Sequence, residues 1–230
     1  GTATADVFAE NLVNPSCCGT FNLVAPAQEY DNTNIRSVIK NPIDFNTFTQ
    51  SLDDIERASN SAGTNLDTST DTWKLVFSSG GTYTKQACTN VDGADSGTVP
   101  DDPGLTAPSC GAVQGPYTIP TNGAIFSKKT VLVSGTVNGR ITIASDFDIV
   151  VVDAVAYQTV GDDVLGLIGK NDIIIAKYAP YDLTWRAAVI AQNGRRHSWD
   201  SSGSHGTANH YGSTASRLQP YMDMFDVRNY

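Results

Sequence analysis

The chain has 230 residues, a net charge of −9 and a sequence pI of about 4.6. About a third of its residues are Thr, Ser, Asn or Gly, and only 17% are charged. This composition excludes a helical bundle or coiled coil, and a hydrophobic content of 40% excludes a disordered chain.

The negative charge lies in the first half of the chain. Residues 1–110 hold the whole net charge of −9, whereas residues 111–230 are balanced. Neither half has the basic stripe that nucleic-acid binding requires, so we expect no nucleic-acid partner. No segment approaches 18 consecutive apolar residues, so we expect no membrane span within this sequence, and any anchor is expected outside it.

One amphipathic helix is predicted, over residues 44–61. Asp44 is the predicted N-cap, and Gly63 is the predicted stop after the last turn. The apolar stripe that predicts this helix consists of Phe45, Phe48, Leu52, Ile55 and Ala58.

The next predicted element is a β-hairpin over residues 71–86. Apolar and polar residues alternate on either side of a four-residue Ser-Ser-Gly-Gly loop. An acidic loop rich in Gly and Pro follows at residues 89–115, and it is long for a compact domain. Such a loop is typically functional, mobile or tied by a disulfide bond.

The four cysteines favour an oxidising, extracellular environment. Cys17 and Cys18 are adjacent and therefore rarely bridge each other. Cys88 and Cys110 flank the acidic loop, so a bridge between these two is the favoured pairing. The alternative, four free buried thiols, stays open, because Cys spacing does not determine pairing.

No strong metal or cofactor site is visible in the sequence, and no cofactor is expected. Weak calcium candidates lie in the acidic loop, where oxygen ligands cluster without the spacing of an EF-hand: Asp92, Asp95, Asp101 and Asp102. All three histidines lie in one Gly/Ser-rich stretch, which predicts a solvated polar loop: His197, His205 and His210.

A repeat of roughly 20 residues begins after residue 117 and predicts a β-solenoid. Each unit has an apolar residue, a small residue, a polar turn and an apolar triplet. The units open at Phe126, Ile143, Ile168 and Ile190, with spacings of 17, 25 and 22 residues. The small residues Ala144, Gly169 and Ala191 are expected at equivalent tight corners.

The alternative fold is an antiparallel β-sandwich. Asn138-Gly139, between two apolar runs, is typical of a type I′ hairpin turn over residues 131–143. The predicted fold class is therefore mainly β, with a solenoid or sandwich body and one helix. The predicted organisation is an acidic α+β part over residues 1–116, continuous with a β-repeat region over residues 117–230.

Two sets of side chains are candidates for function on this body. Carboxylates at predicted turns are candidates for a polysaccharide-cutting site: Asp146, Asp148, Asp162 and Asp163. Aromatic residues near the C-terminus are candidates for a ligand or adhesion surface, although covering one face of a solenoid is their commoner role: Trp185, Trp199 and Tyr211.

Several segments together resemble bacterial surface proteins of the type IV pilus assembly PilX-like family. They are Pro42–Phe45, Ser51–Ile55, Leu75–Phe77, Gly81–Tyr83, Gly135–Ser145, Asp163–Ile168, Ala187–Gly194 and Tyr211–Ser213. The resemblance implies an ectodomain that follows a pilin-like helix, and it brings no catalytic residue.

These observations lead to one expected function and two alternatives. We expect a non-catalytic, extracellular structural or adhesive ectodomain of a bacterial surface or pilus-associated protein, with pilus subunits, other surface proteins or glycans as partners. A solenoid polysaccharide-active enzyme and a carbohydrate-binding module are the alternatives.

Overall fold

The computed structural model describes residues 48–66, 72–89, 107–198, 206–218, 221–222 and 226–229. These residues form one helix and eighteen strands, so the described fold is mainly β. The elements are α1 (Phe48–Ala62), β1 (Thr64–Asn65), β2 (Thr72–Ser78), β3 (Thr82–Thr89), β4 (Ser109–Cys110), β5 (Gln114–Thr118), β6 (Ala124–Ser127), β7 (Val131–Val137), β8 (Arg140–Ser145), β9 (Ile149–Tyr157), β10 (Val164–Gly169), β11 (Ile173–Ile175), β12 (Leu183–Arg186), β13 (Ala188–Ala191), β14 (Arg196–Ser198), β15 (Thr207–Tyr211), β16 (Thr214–Ser216), β17 (Tyr221–Met222) and β18 (Asp226–Asn229).

Helix α1 confirms the predicted helix over residues 48–61, and the predicted residues 44–47 lie outside the described residues. Its buried Leu52 packs with Phe126 and Ala144, so the helix covers one face of strands β6 and β8. No described helix has the length and apolar character needed to cross a membrane. The predicted N-cap, Asp44, lies outside the described residues.

Gly63 ends the helix as predicted, and the structure adds a packing reason. Its amide donates to the carbonyl of Ala58 at 3.1 Å. A side chain at position 63 would collide with the carbonyl oxygen of Ala124 on β6. Glycine is therefore required where the helix end meets the sheet.

The predicted hairpin is confirmed, with a loop one residue shorter than expected. Strands β2 and β3 pair antiparallel from Thr72–Cys88 to Ser78–Thr82, which leaves residues 79–81 in the loop. The Gly81 amide donates to the Ser78 carbonyl at 3.0 Å, and Gly81 has a φ of +71°. Three-residue hairpin loops place glycine in this left-handed conformation.

The predicted disulfide between Cys88 and Cys110 is present. The two residues face each other across the β3–β4 pair, with Cα atoms 4.0 Å apart. The alternative of four free thiols is therefore wrong for this pair. Cys17 and Cys18 lie outside the described residues.

The strands from β6 onward pair with one another only in parallel among the described residues. One six-stranded sheet has the order β1-β6-β8-β10-β13-β16, and a larger sheet contains β2-β7-β9-β11-β14-β17. Strands β12, β15 and β18 form a third run of parallel pairs, which meets β9 where Val155 faces Trp185. Strands next to each other in a sheet are thus about one repeat apart in sequence.

The register corrects the predicted repeat by one residue. Phe126 aligns with Ala144, Ile168, Ile190 and Ala215, at spacings of 18, 24, 22 and 25 residues. The unit predicted to open at Ile143 thus begins one position later. Ala144 is fully buried and packs in one cluster with Leu52 of the helix and Phe126 of β6.

The same shift corrects the predicted corner. Ser145, not Ala144, aligns with Gly169 and Ala191, and the set ends at Ser216. The Ser145 hydroxyl accepts a hydrogen bond from the Phe147 amide at 2.9 Å and donates to the Lys129 carbonyl at 2.9 Å. A serine therefore fits this corner because it satisfies the backbone of the turn.

The predicted hairpin over residues 131–143 is wrong, and so is the sandwich built on it. Strand β7 pairs in parallel with β2 and β9, while β8 pairs with β6 and β10. Val131, Leu132 and Val133 are all fully buried, which is typical of a central parallel strand and not of a half-exposed hairpin. Asn138-Gly139 is a corner that leads from one sheet to the next.

Three columns of register-aligned side chains form the core. Column 1 is Ile125, Ile143, Leu167, Val189 and Thr214. Column 2 is Val131, Ile149, Ile173 and Arg196, and column 3 is Gly135, Val155, Trp185 and His210. Strands β1 and β2 extend the two sheets, so the chain on both sides of residue 116 is joined by hydrogen bonds. The division at residue 116 stays a prediction.

Candidate functional site

The predicted aromatic surface is not formed as expected. Trp185 is fully buried and stacks on the His210 ring, with centroids 4.0 Å apart, so its assignment to a ligand surface is wrong. It lies in column 3, where a large apolar side chain fills the interior. Tyr211 is half-buried under Arg186, whose guanidinium lies 4.3 Å from the ring centroid. Trp199 lies outside the described residues.

Two of the four candidate carboxylates lie on the turn between β8 and β9. Asp146 approaches the Lys170 ammonium at 3.5 Å, and the Asp148 carboxylate accepts the Asp172 amide at 2.9 Å. Asp172 repeats this arrangement one strand further on, where its carboxylate accepts the Arg195 amide at 2.5 Å. These carboxylates therefore link successive turns of the backbone.

The other two candidate carboxylates, Asp162 and Asp163, lie on the turn between β9 and β10. Asp163 is buried, and its carboxylate accepts the amides of Gly139 at 2.7 Å and Thr159 at 2.6 Å. Asp162 is exposed beside it. Strand β8 lies between the two turns, because Asp163 binds the Gly139 amide before it and Asp146 follows it, and its six residues span roughly 20 Å. The four carboxylates are therefore not brought together.

The histidines differ from the predicted solvated loop. His197 and His210 are buried in β14 and β15, so the prediction is wrong for both. His205 and the calcium candidates Asp92, Asp95, Asp101 and Asp102 lie outside the described residues. Within the described ranges, no three metal-binding side chains cluster closely enough to hold an ion.

His210 belongs to a polar cluster that joins the three columns. The Arg196 Nη1 donates to His210 Nδ1 at 2.8 Å and to Thr214 Oγ1 at 3.1 Å. Because arginine only donates, His210 Nδ1 accepts, and its Nε2–H donates to the Ala187 carbonyl at 2.9 Å. This assigns the neutral Nε2–H tautomer to His210.

The ionisable groups around this cluster respond to burial and to each other. Burial lowers the pKa of Arg196, because the interior disfavours its charge. Burial alone would raise the pKa of Asp172, but hydrogen bonds from His197 and the Arg195 amide outweigh it and lower that pKa. The Asp172 carboxylate lies 3.4 Å from His197 Nε2.

A second feature is a cavity of about 200 Å³ on the outer face of the larger sheet, called the outer cavity below. Its lining combines apolar and polar side chains from four separate segments. The residues are Lys74, Ala107, Pro108, Cys110, Leu132, Ser134, Val152, Asp153 and Tyr178.

An irregularity in strand β9 positions Asp153 at this cavity. The β7–β9 register runs from Val133–Val151 to Gly135–Val155, so β9 has two more residues than β7 between these pairs. Such bulges bend a strand and redirect its side chains. Val152 and Asp153 lie within this irregularity, opposite Ser134 on β7.

The disulfide positions the opposite rim. Cys110 lines the cavity together with Ala107 and Pro108, and its bond to Cys88 attaches this segment to β3. The Gly111 amide adds a hydrogen bond to the Ala87 carbonyl at 2.8 Å. The rim is therefore fastened to the sheet by covalent and backbone interactions.

The polar groups of the cavity have unused hydrogen-bonding capacity. Among the residues that the structure describes, the Tyr178 hydroxyl is buried without a hydrogen-bond partner, and burial raises the pKa of Tyr178 to about 12, so the group stays neutral. Within the described part of the chain, Lys74 forms no ion pair or hydrogen bond. One Asp153 oxygen accepts only the adjacent Ala154 amide, at 2.7 Å.

Sequence patterns alone reveal neither the polar cluster nor the outer cavity. The cavity residues are scattered over four segments, and no motif connects them. One signal could have indicated the polar cluster: Arg196 and His210 stand at positions whose register partners, Ile173 and Trp185, are apolar. This signal is visible only once the strand register is known, and the repeat spacing did not give that register.

Comparison with protein-family models, with curated proteins and with solved structures finds no match for this chain.

Proposed function

We propose that this chain is a non-catalytic structural or adhesive ectodomain of a bacterial surface or pilus-associated protein, built as a β-solenoid. The observation that supports it most is the parallel register of strands 18 to 25 residues apart on successive layers. In a solenoid each turn of chain buries its apolar residues against the turn above, as in the three columns.

The corner carboxylates support a structural role. Asp148, Asp163 and Asp172 each accept backbone amides from a neighbouring layer or turn. A glycosidase of the common type needs two carboxyl groups roughly 5–10 Å apart, facing one substrate. The candidate pairs lie at opposite ends of β9, which favours the non-catalytic function.

The disulfide supports an extracellular location. Disulfide bonds such as Cys88–Cys110 form and persist mainly in oxidising compartments. The resemblance to pilus-associated surface proteins agrees with such a location.

The solenoid is tested by cross-linking between layers. Thr136 and Ala156 are register partners on β7 and β9, so cysteines at these positions should be joined by a short bismaleimide. Cysteines at Ala156 and Thr142, which lie in different sheets, serve as the matched control. Both pairs are made with Cys17→Ser and Cys18→Ser. Linkage of the control alone, or of neither pair, contradicts the proposal.

The location is tested with antibodies against the chain on intact and permeabilised cells of the source bacterium. Labelling of intact cells, and recovery with sheared surface filaments, is the expected result. Labelling only after permeabilisation contradicts the surface function. Release of reducing sugar from a polysaccharide, lost in Asp146→Asn or Asp163→Asn, would favour the enzyme alternative.

A further inference from the structure

We propose that the outer cavity binds one neutral sugar ring of a glycan; this rests on the adhesive function proposed above and specifies its ligand. Four polar side chains from β2, β7, β9 and the turn after β11 line one space: Lys74, Ser134, Asp153 and Tyr178.

The hydrogen-bonding capacity of these groups fits hydroxyl ligands. The Lys74 ammonium only donates, the Asp153 carboxylate only accepts, and the hydroxyls of Ser134 and Tyr178 do both. Because the Tyr178 hydroxyl is buried and no described residue bonds to it, a ligand atom that bonds to it removes a desolvation penalty. Sugar hydroxyls donate and accept, so one ring can satisfy all four groups.

The charges of the cavity favour a neutral ligand. One cation, Lys74, and one anion, Asp153, line it, so their formal charges cancel. A phosphate would be attracted by Lys74 and repelled by Asp153, and an amine would meet the reverse. A polyol avoids both repulsions while using both charges as hydrogen-bonding partners.

The apolar lining and the size restrict the ligand further. Val152 and the Tyr178 ring provide an apolar surface, which suits the C–H face of a pyranose, whereas Leu132 is fully buried and offers none. The volume of about 200 Å³ lies below the roughly 300 Å³ at which drug-sized sites begin. The cavity therefore accommodates a single ring, and the remainder of a glycan would extend into solvent.

The binding test is an amide NMR titration of the full chain with glucose, galactose, mannose, N-acetylglucosamine and inorganic phosphate. We expect saturable shifts in the millimolar range for at least one sugar, centred on the amides of Lys74, Ser134, Asp153 and Tyr178, and none for phosphate. Saturation by phosphate at the same amides contradicts the neutral-ligand assignment. The absence of saturable shifts with every sugar overturns the proposal.

Tyr178→Phe separates binding from folding. It removes an unpartnered hydroxyl, so the free protein should keep or gain stability while sugar affinity falls at least threefold. Tyr181→Phe is the matched control, because Tyr181 is 62% exposed and does not line the cavity. Asp153→Asn and Lys74→Met should each weaken binding about tenfold, which is the loss of one charge-assisted hydrogen bond. Equal losses in the Tyr178 and Tyr181 variants would contradict the assignment.

The two proposals fail separately. A chain that antibodies find on intact cells, but that binds no sugar, contradicts the cavity assignment alone. A chain that binds sugar in the cavity, but is found only inside cells, contradicts the surface function alone.

Discussion

Two parts of the core use the same three columns in opposite ways. In the middle layers the columns hold residues such as Leu167, Ile173 and Trp185, all fully buried. Further along the same columns, the aligned positions hold Arg196, His210 and Thr214, and Arg196 donates hydrogen bonds to the other two. The difference shows that this stacking fixes where side chains point but not their polarity, provided that buried polar groups satisfy each other.

The largest expected effect concerns β11 in the apolar layers, at Ile174, whose side chain points away from its column 2 neighbour Ile173. Ile174→Asp places an unpaired charge where Ile174 is 2% exposed between Val150 and His197, and we expect a loss of more than about 4 kcal/mol in the free energy of unfolding. Urea unfolding followed by circular dichroism measures it. Val164→Asp, on a side chain that is 46% exposed, is the control and should change little. An unchanged midpoint for Ile174→Asp would mean that this residue faces solvent.

The next effect tests the polar part of the columns. Arg196→Ile removes the donor to His210 and Thr214, so we expect a loss of about 3 kcal/mol, the upper end of the cost of leaving a buried polar group without its partner. Adding His210→Leu and Thr214→Val makes all three positions apolar, like the positions that precede them in their columns. This triple variant should recover at least 1 kcal/mol, roughly the coupling expected for contacting residues. Additive losses in thermal or urea unfolding would contradict the coupling.

The two aspartates at the β9–β10 corner provide a matched pair. Asp163→Ala leaves the amides of Gly139 and Thr159 without their acceptor, and we expect a loss of about 2–3 kcal/mol. Asp162→Ala, on the exposed neighbour, should stay within about 0.5 kcal/mol of the parent. Chemical unfolding of both variants decides the comparison. Equal losses would show that the corner does not depend on the buried carboxylate.

The smallest effect concerns pH and Asp172. Its pKa in the folded chain lies below the ordinary value of 3.8, so the carboxylate stabilises the fold above about pH 4, and this contribution is lost as pH falls through the folded pKa. Asp172→Asn removes this ionisation. We expect the parent to exceed the variant by about 1 kcal/mol at pH 6 and by less at pH 3. A gap that widens toward pH 3 in urea unfolding would contradict the sign.

Local patterns predicted the local elements. The apolar stripe containing Leu52 and Ile55 predicted the helix, and the alternation around Ser78 and Gly81 predicted the hairpin. The positions of Cys88 and Cys110 at the two ends of one loop predicted the disulfide. The helix, the hairpin and the disulfide each depend on residues close in sequence or on the closure of a single loop. For that reason, each could be predicted from the sequence.

Local sequence patterns did not predict the register of the strands or the burial of their side chains. Asn138-Gly139 has the sequence of a hairpin turn, but β7 and β8 enter different sheets because their buried faces find partners a repeat away. Trp185 is an aromatic residue of the kind found on sugar-binding surfaces, yet its alignment with Val155 places it in the interior. Side-chain direction in a strand reverses with a shift of one residue, so an error of one position at Ile143 moved the predicted corner.

The sequence by itself determined a mainly β chain with an acidic first half, one helix, one hairpin and one bridged loop. Composition and short-range periodicity are sufficient for these, because they depend on local conformational preference and on apolar patterning. Only the tertiary structure decided which strands pair, that Arg196 meets His210 and Thr214, and that Lys74, Ser134, Asp153 and Tyr178 line one cavity. Those contacts join residues from 14 to more than 100 positions apart, and only the parallel stacking of the strands brings them together.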